Sequence, residues 1–400
     1  MLYREGQKTM KNIIGKPVDG ANFFGRDREL RELRRICEDE HILLLAPRRV
    51  GKTSLLHALA LDVSRDASAV GAYVSVAAAK GEPQFVEAVL RSIYETTAGK
   101  KLKPNPIATW LRRHGRRVRG IKVAGIGVDV DGYAAEWQDE ANRAFAGILQ
   151  AKQPWLILID ELPIFVLTIA AHDTTGERVR SFLQWFRNLR QLPEASAKLR
   201  FVLAGSVGLD SVTRKHRLTD TVNDLRDWRL GPYDAETADR FLAELARSYR
   251  MDVGPELRRR ICGHAEWLIP YHLQVIFSAL RDRARDATPS EAHLDAAIED
   301  LLARRTYFSS WEERLRGALG APEDAFARAI LGACAHDPRG VAASSLQQCL
   351  AGQVPDPVER GKTARWLLDV LVNDGYLVEQ ARRWRFRSGL LRRYWERHVP

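Results

Sequence analysis

The stretch Ile42-Leu43-Leu44-Leu45-Ala46-Pro47-Arg48-Arg49-Val50-Gly51-Lys52-Thr53 decides how this chain folds. Its first four residues are apolar without alternation, and charges precede them while Pro and Gly follow. Such a run predicts a strand buried on both faces of a parallel sheet. From Lys52 to Asp62 the sequence reads as a helix. A strand that runs through a glycine-containing turn into a helix lets successive backbone N–H groups and the positive helix end surround a phosphate chain. Gly51 can take a conformation closed to other residues, Lys52 can reach the outer phosphates, and the Thr53 hydroxyl can ligate Mg²⁺. Ala46 stands where the pattern usually has its first glycine, a mild departure if its φ is negative.

Working outward, Phe23-Phe24-Gly25-Arg26 opens an amphipathic helix with Leu30, Leu33 and Ile36 on one face. After the loop, 72–76 reads as a second strand and 83–95 as its crossover helix. A helix over 134–150 leads to Trp155-Leu156-Ile157-Leu158-Ile159, the strongest strand signal, which ends in Asp160-Glu161. A helix over 179–191 then leads to a strand over 200–204. Strands alternating with helices imply a parallel sheet covered on both faces. The acids that end the third strand supply what the loop lacks. Asp160 can hold Mg²⁺, and Glu161 can polarise an attacking water. Ser206, just past the next strand, either senses the outer phosphate or belongs to an ordinary strand-end turn. Arg187 and Arg190 serve a neighbouring subunit as an arginine finger or form a solvated helix face.

The 400 residues leave room for two or three domains, and we expect boundaries at 1–230, 231–318 and 319–400. A hydrophobic fraction of 45% with no long apolar run argues against a membrane protein. The N-terminus has no apolar signal core, so a cytoplasmic location is expected. Cys37, Cys262, Cys334 and Cys349 lack metal or disulfide spacing and read as small buried hydrophobes. The net charge of +11 is uneven. Nine Lys or Arg and no acid lie between Lys100 and Lys122, inside an expected insertion at about 97–131 whose last part, 121–131, reads as a hairpin. Arg112, Arg113, Arg116 and Arg117, with Trp110 among them, are a candidate nucleic-acid contact or a solvated loop.

Beyond Leu230-Gly231-Pro232-Tyr233 the strand signals stop. Helices separated by prolines run to about Trp311. Three more, near 323–335, 343–350 and 358–373, precede two short strands around Arg383-Trp384-Arg385-Phe386. This order suggests a winged helix. Arg360, Lys362 and Arg365 would then lie on its recognition helix, and Arg382, Arg383 and Arg385 on its wing. Packing on the rest of the chain or on another protein is the alternative use of that element.

With these residues in hand, the chain resembles the STAND and archaeal-type ATPases of the broad AAA+ group that carry a winged-helix tail. Phe23-Phe24-Gly25-Arg26 resembles their N-terminal box, which lies against adenine. The run Ala46, Pro47, Arg48, Arg49, Val50, Gly51, Lys52, Thr53, Ser54 resembles their P-loop, and LILIDELP their Walker B strand. LAGSVGL with Asn223-Asp224 resembles the sensor strand and its continuation, and Pro270 the proline of the helical domain near base and phosphates. The resemblance implies an AAA+-like P-loop sheet, a helical lid and a winged helix, with ATP and Mg²⁺ as ligands. It lacks a sensor arginine at a lid-helix start, which favours a switch over a motor. No fused nuclease is expected, so any nuclease would be a separate protein. Three functions fit: a switch that couples nucleotide state to DNA binding, an interaction regulator that oligomerises and activates an effector protein in a defence or toxin-like system, or a DNA loader or transposition regulator.

Overall fold

A computed structural model describes residues 9–102, 105, 107–112, 130–173, 175–195, 198–205, 218–285 and 287–399. They form two compact units. One comprises 28–46 and 55–229; the other comprises the leader to 27, the loop 47–54 and everything from 230 onward.

The first unit is an α/β layer structure. Its elements are α1 (Asp27–Asp39), β1 (His41–Leu45), α2 (Lys52–Arg65), β2 (Val70–Ser75), α3 (Glu82–Glu95), α4 (Val130–Leu149), β3 (Trp155–Asp160), α5 (Leu162–Ala170), α6 (Glu177–Arg190), β4 (Leu199–Gly205) and β5 (Leu225–Arg229). The five strands are all parallel in the order β2-β3-β4-β1-β5. Every residue of β3 is buried, as its unbroken apolar run demands. The core on one side is aromatic. Phe85, Phe165, Phe182 and Phe186 interlock, with Phe85 and Phe182 edge to face at 4.9 Å. Such pairs add about 0.5–1.5 kcal/mol each beyond area burial.

β5 has no counterpart in the sequence reading. Its pattern Leu225-Arg226-Asp227-Trp228-Arg229 buries only Leu225 and Trp228, as suits an edge strand. Trp110, which lies in the basic stretch read as a nucleic-acid contact or a solvated loop, is 6% exposed and packs into the core with Ile107. Arg112 is exposed, while Arg113, Arg116 and Arg117 lie outside the described residues, as does most of the expected hairpin. The last hairpin positions, Val130 and Asp131, instead open α4.

The second unit is helical apart from one small sheet. It contains α7 (Ala235–Ser248), α8 (Pro255–Ala265), α9 (Pro270–Ala284), α10 (Glu291–Ala303) and α11 (Ser309–Leu319). Two of them, α8 and α9, have proline as their first residue (Pro255 and Pro270), where a missing N–H costs nothing. Then follow α12 (Glu323–His336), β6 (Val341–Ala342), α13 (Ala343–Gln348), α14 (Pro357–Asn373), β7 (Leu377–Gln380), β8 (Arg383–Phe386) and α15 (Gly389–His398). The strands pair antiparallel in the order β6-β8-β7, giving the winged-helix arrangement. Ala381 and Arg382 turn β7 into β8 with φ of 51° and 60°, as a two-residue turn with both centres left-handed requires. Neither residue type signals that turn. α15 buries Leu390, Leu391, Tyr394 and Trp395 against the helices. The cysteines divide: Cys37 and Cys334 are buried, Cys262 is half-buried and Cys349 exposed, so the uniform expectation fails for the last two. Among the described residues no helix is long and apolar enough to cross a membrane.

Candidate nucleotide site

β1 delivers the chain to the loop. Ala46, 2% exposed, donates its N–H to the Gly205 carbonyl at the end of β4 (3.2 Å). Its φ is not positive, so the missing glycine costs no strain there. The left-handed positions fall at Arg49 (φ 67°) and Gly51 (φ 99°). Gly51 meets the expectation; Arg49, with a Cβ, does not. α2 starts at Lys52, which is 7% exposed, and Ser54 is buried. The Ser54 hydroxyl accepts from the Val18 N–H at 3.0 Å, tying the leader to the loop.

The N-terminal box supports this loop from below. Gly25 has φ 68°, and a Cβ there would lie 2.5 Å from the Thr237 methyl. Phe24 packs on Phe241 at 5.6 Å, and its carbonyl accepts from the Tyr233 hydroxyl at 2.8 Å. Arg26 is 3% exposed and stacks over Tyr233 at 4.5 Å. One of its terminal nitrogens donates to the Val50 carbonyl at 3.0 Å and the Gly231 carbonyl at 2.8 Å. Arg26 therefore braces the loop backbone, a positioning role that the sequence reading as a nucleotide contact did not contain.

Arg48 and Arg49 are similarly occupied. Arg48 reaches the Ser310 carbonyl at 3.5 Å. The Arg49 guanidinium lies 4.1 Å from the Tyr271 ring centre and donates to the Ser310 hydroxyl at 2.8 Å. Tyr271 follows Pro270, so that proline fixes the helix start which presents the ring.

The acids sit at the end of β3. Asp160 is 2% exposed; its Oδ1 accepts from the Glu161 N–H at 2.9 Å, and Oδ2 from the Tyr73 hydroxyl at 3.4 Å. Glu161 takes φ 64°, and Pro163 then packs against Gly205, where a Cβ would lie 2.4 Å from the proline ring. The parallel sheet puts Ala46 and Asp160 at the same edge, with β4 between their strands. Ser206 lies outside the described residues.

Arg190 belongs to the opposite edge. Its side chain is 2% exposed and forms two 2.8 Å hydrogen bonds with Asp224, plus one of 2.7 Å to the Thr221 carbonyl. Neither a finger for a neighbour nor a solvated face describes it. Asp224, read as part of the sensor region, is its counter-charge. Burial pushes the Asp224 carboxyl up, but the hydrogen bonds and charge of Arg190 bring it below the usual range. Beside them His41 accepts from the Phe201 N–H on Nδ1 and bonds the Arg190 carbonyl through Nε2. Burial, helped by the charges of Arg190 and Arg200, lowers His41 to about 4. Arg187 is 31% exposed, 4.0 Å from Asp220.

On the winged helix, Lys362, Arg365, Arg382 and Arg383 are exposed. Several candidates have internal partners: Arg360 the Val354 carbonyl (3.2 Å), Lys362 Glu359 (2.8 Å), Arg383 the Gly340 carbonyl (2.7 Å) and Arg385 Glu266 (3.8 Å).

No family model matches the sequence, and no curated protein does. Among solved structures the chain is similar to a Walker-type ATPase of Pyrococcus abyssi. The identity is 16%, the TM-score is 0.59, and the match covers 96% of this chain and 99% of that one. The ORC2 protein of Aeropyrum pernix, solved in ADPNP–ADP complexes, matches at 14% identity over 94% and 95% of the two chains, with a TM-score of 0.49. The first likeness shows the fold: over nearly its whole length this chain shares the architecture of that Walker-type ATPase.

Proposed function

We propose that the chain is an ATP-binding and ATP-hydrolysing switch of the STAND-like kind, which couples nucleotide state to DNA binding or oligomerisation. The observation that carries this reading is the composition of the second unit: the loop 47–54 belongs with the helical region and the winged helix. A phosphate-binding loop so connected can report its occupancy to the C-terminal region. In functional terms 1–230 would carry the nucleotide chemistry, 231–318 the lid and 319–400 the winged helix.

The N–H groups of 48–53 and the positive end of α2 would bind the phosphates, with Lys52 on the outer ones. Among the described residues no three His, Cys, Asp or Glu side chains could hold a metal alone. An ion that arrives on phosphates needs only one or two carboxylates, and on the sequence pattern Asp160 and the Thr53 hydroxyl would be its protein donors. Bound there, Mg²⁺ would neutralise charge on the β and γ phosphates. Glu161, next in the chain, would orient the attacking water and accept its proton.

Equilibrium binding and phosphate release test the chemistry together. Lys52→Ala should lose ATP binding, and Glu161→Gln should keep it while losing turnover. Undiminished turnover by the Glu161 variant would show that another group is the base.

DNA is the favoured partner of the winged helix because Lys362, Arg365 and Arg382 remain exposed on its recognition helix and wing. Binding through phosphates would make log K fall with log salt, and a flat dependence rules it out. The internal partners of Arg360, Arg383 and Arg385 favour the second reading, a protein-interaction regulator with a separate effector. DNA-independent oligomers on ATP addition would select it.

A further inference from the structure

The P-loop carries two arginines at positions where phosphate binding itself needs no side chain. One of them, Arg49, holds a left-handed backbone that only glycine adopts freely. Its guanidinium is bracketed on three sides. The Tyr271 ring at the start of α9 lies 4.1 Å away, and the Ser310 hydroxyl at the start of α11 accepts at 2.8 Å. On the third side is the leader: a Cβ on Gly15 would come within 2.8 Å of an Arg49 nitrogen. Ser310 is followed by Trp311, 1% exposed, whose carbonyl accepts from the Tyr376 hydroxyl at 2.6 Å. Tyr376 enters β7 of the winged helix. The same junction closes at Gly375, where a Cβ would meet Trp267 at 2.6 Å and the P-loop's own Pro47 at 2.8 Å. Loop, lid helix, connecting helix and winged helix thus meet within a few side chains.

We propose that Arg49 is the positioning residue through which the phosphate-binding loop sets the placement of the winged helix, by way of Ser310, Trp311 and Tyr376. The proposal rests on the reading above that this loop binds ATP. The peptide at Arg49 is part of the phosphate cradle, so a change in its φ and ψ on phosphate binding swings the guanidinium. Its ring stack and its hydrogen bond both lie outside the loop, on α9 and α11. A swing must break or re-aim them. Cation–π contacts are directional enough to transmit such a change, and Trp311 is too tightly enclosed to absorb it.

The test uses the full-length chain as wild type, Arg49→Ala, Arg49→Lys and Ser310→Ala. Binding of a fluorescent ATP analogue with Mg²⁺ is measured first. Hydrogen exchange of 309–319 and 374–387 is then compared without nucleotide and with saturating ATPγS and Mg²⁺. Wild type should change exchange in both segments by about threefold or more, on the scale of one such contact. Arg49→Ala should lose that response at 374–387, Arg49→Lys should recover part of it, and Ser310→Ala should reduce it. A merely structural arginine would alter exchange equally with and without nucleotide, leaving the response intact, and that result overturns the proposal. So does a wild type that binds nucleotide without any change at 374–387. If Arg49→Ala fails to fold or to bind, Ser310→Ala decides, and an undiminished response in it refutes the relay. A wild type that binds no ATP would sink the ATPase reading as well, which separates the two failures.

Discussion

Replacing Asp224 with Asn removes the counter-charge of a buried guanidinium and leaves the shape of the site unchanged. Arg190 is 2% exposed and its pair with Asp224 is bidentate, with both hydrogen bonds at 2.8 Å. Breaking a buried pair by removing one partner costs about 3–5 kcal/mol, because the remaining charge is stranded. The Asn oxygen still accepts one hydrogen bond, and the Thr221 carbonyl still accepts another at 2.7 Å, so the lower end applies, about 3 kcal/mol. That is a large part of the roughly 5–15 kcal/mol that holds a domain together. In urea, with a slope of about 2 kcal/mol per molar, the midpoint of the first unit should fall by roughly 1.5 M. Adding Arg190→Met should restore most of the loss, since an apolar replacement of both partners is often neutral. An arginine reserved for a neighbour's nucleotide would predict the opposite. A single-variant cost under about 1 kcal/mol, the scale of an exposed pair, would refute the buried-pair account.

The same cluster makes the fold acid-sensitive through His41. Its folded pKa of about 4 lies below the unfolded value of about 6.5, so the unfolded chain takes up the proton first. Its contribution is complete above pH 6.5 and falls by at most about 3 kcal/mol as pH drops towards 4; His41→Gln should flatten the slope of urea midpoint against pH in that window. His272, fully buried and also lowered to about 4 by burial, should add a second loss over the same window, visible as His272→Gln flattening what remains. Gly25→Ala should cost about 2 kcal/mol in thermal or urea unfolding, because a left-handed Cβ alone costs about 1–2 kcal/mol and here it meets the Thr237 methyl; a neutral substitution would mean the box is not held as described.

How much was legible in the sequence follows from how locally each feature is encoded. β1, β3 and β4 are apolar runs, and the loop and its acids are contiguous with them, so strand, loop and candidate chemistry could be read together. β5 escaped because an edge strand buries only Leu225 and Trp228, and three charges mask the pair. Trp110 misled because its neighbours in sequence are basic, whereas its neighbours in space are apolar. By resemblance Arg26 reads as part of a box against adenine and Arg49 as part of the P-loop, while Arg190 reads as a finger for a neighbouring subunit or a solvated helix face. In the structure each has a protein partner: a carbonyl 24 positions away, a serine 261 positions away and an aspartate 34 positions away. Composition cannot supply such partners, because an arginine's fork fits a carbonyl, a carboxylate or a phosphate equally well. What distinguishes them is burial. An arginine that must meet a soluble anion has to keep a path to solvent, and Arg26 and Arg190 at 3% and 4% exposure have none. Arg49 is the exception, half-buried and on the loop itself. It alone among the three can answer to both a phosphate and the protein around it, which is why the coupling between them is placed there.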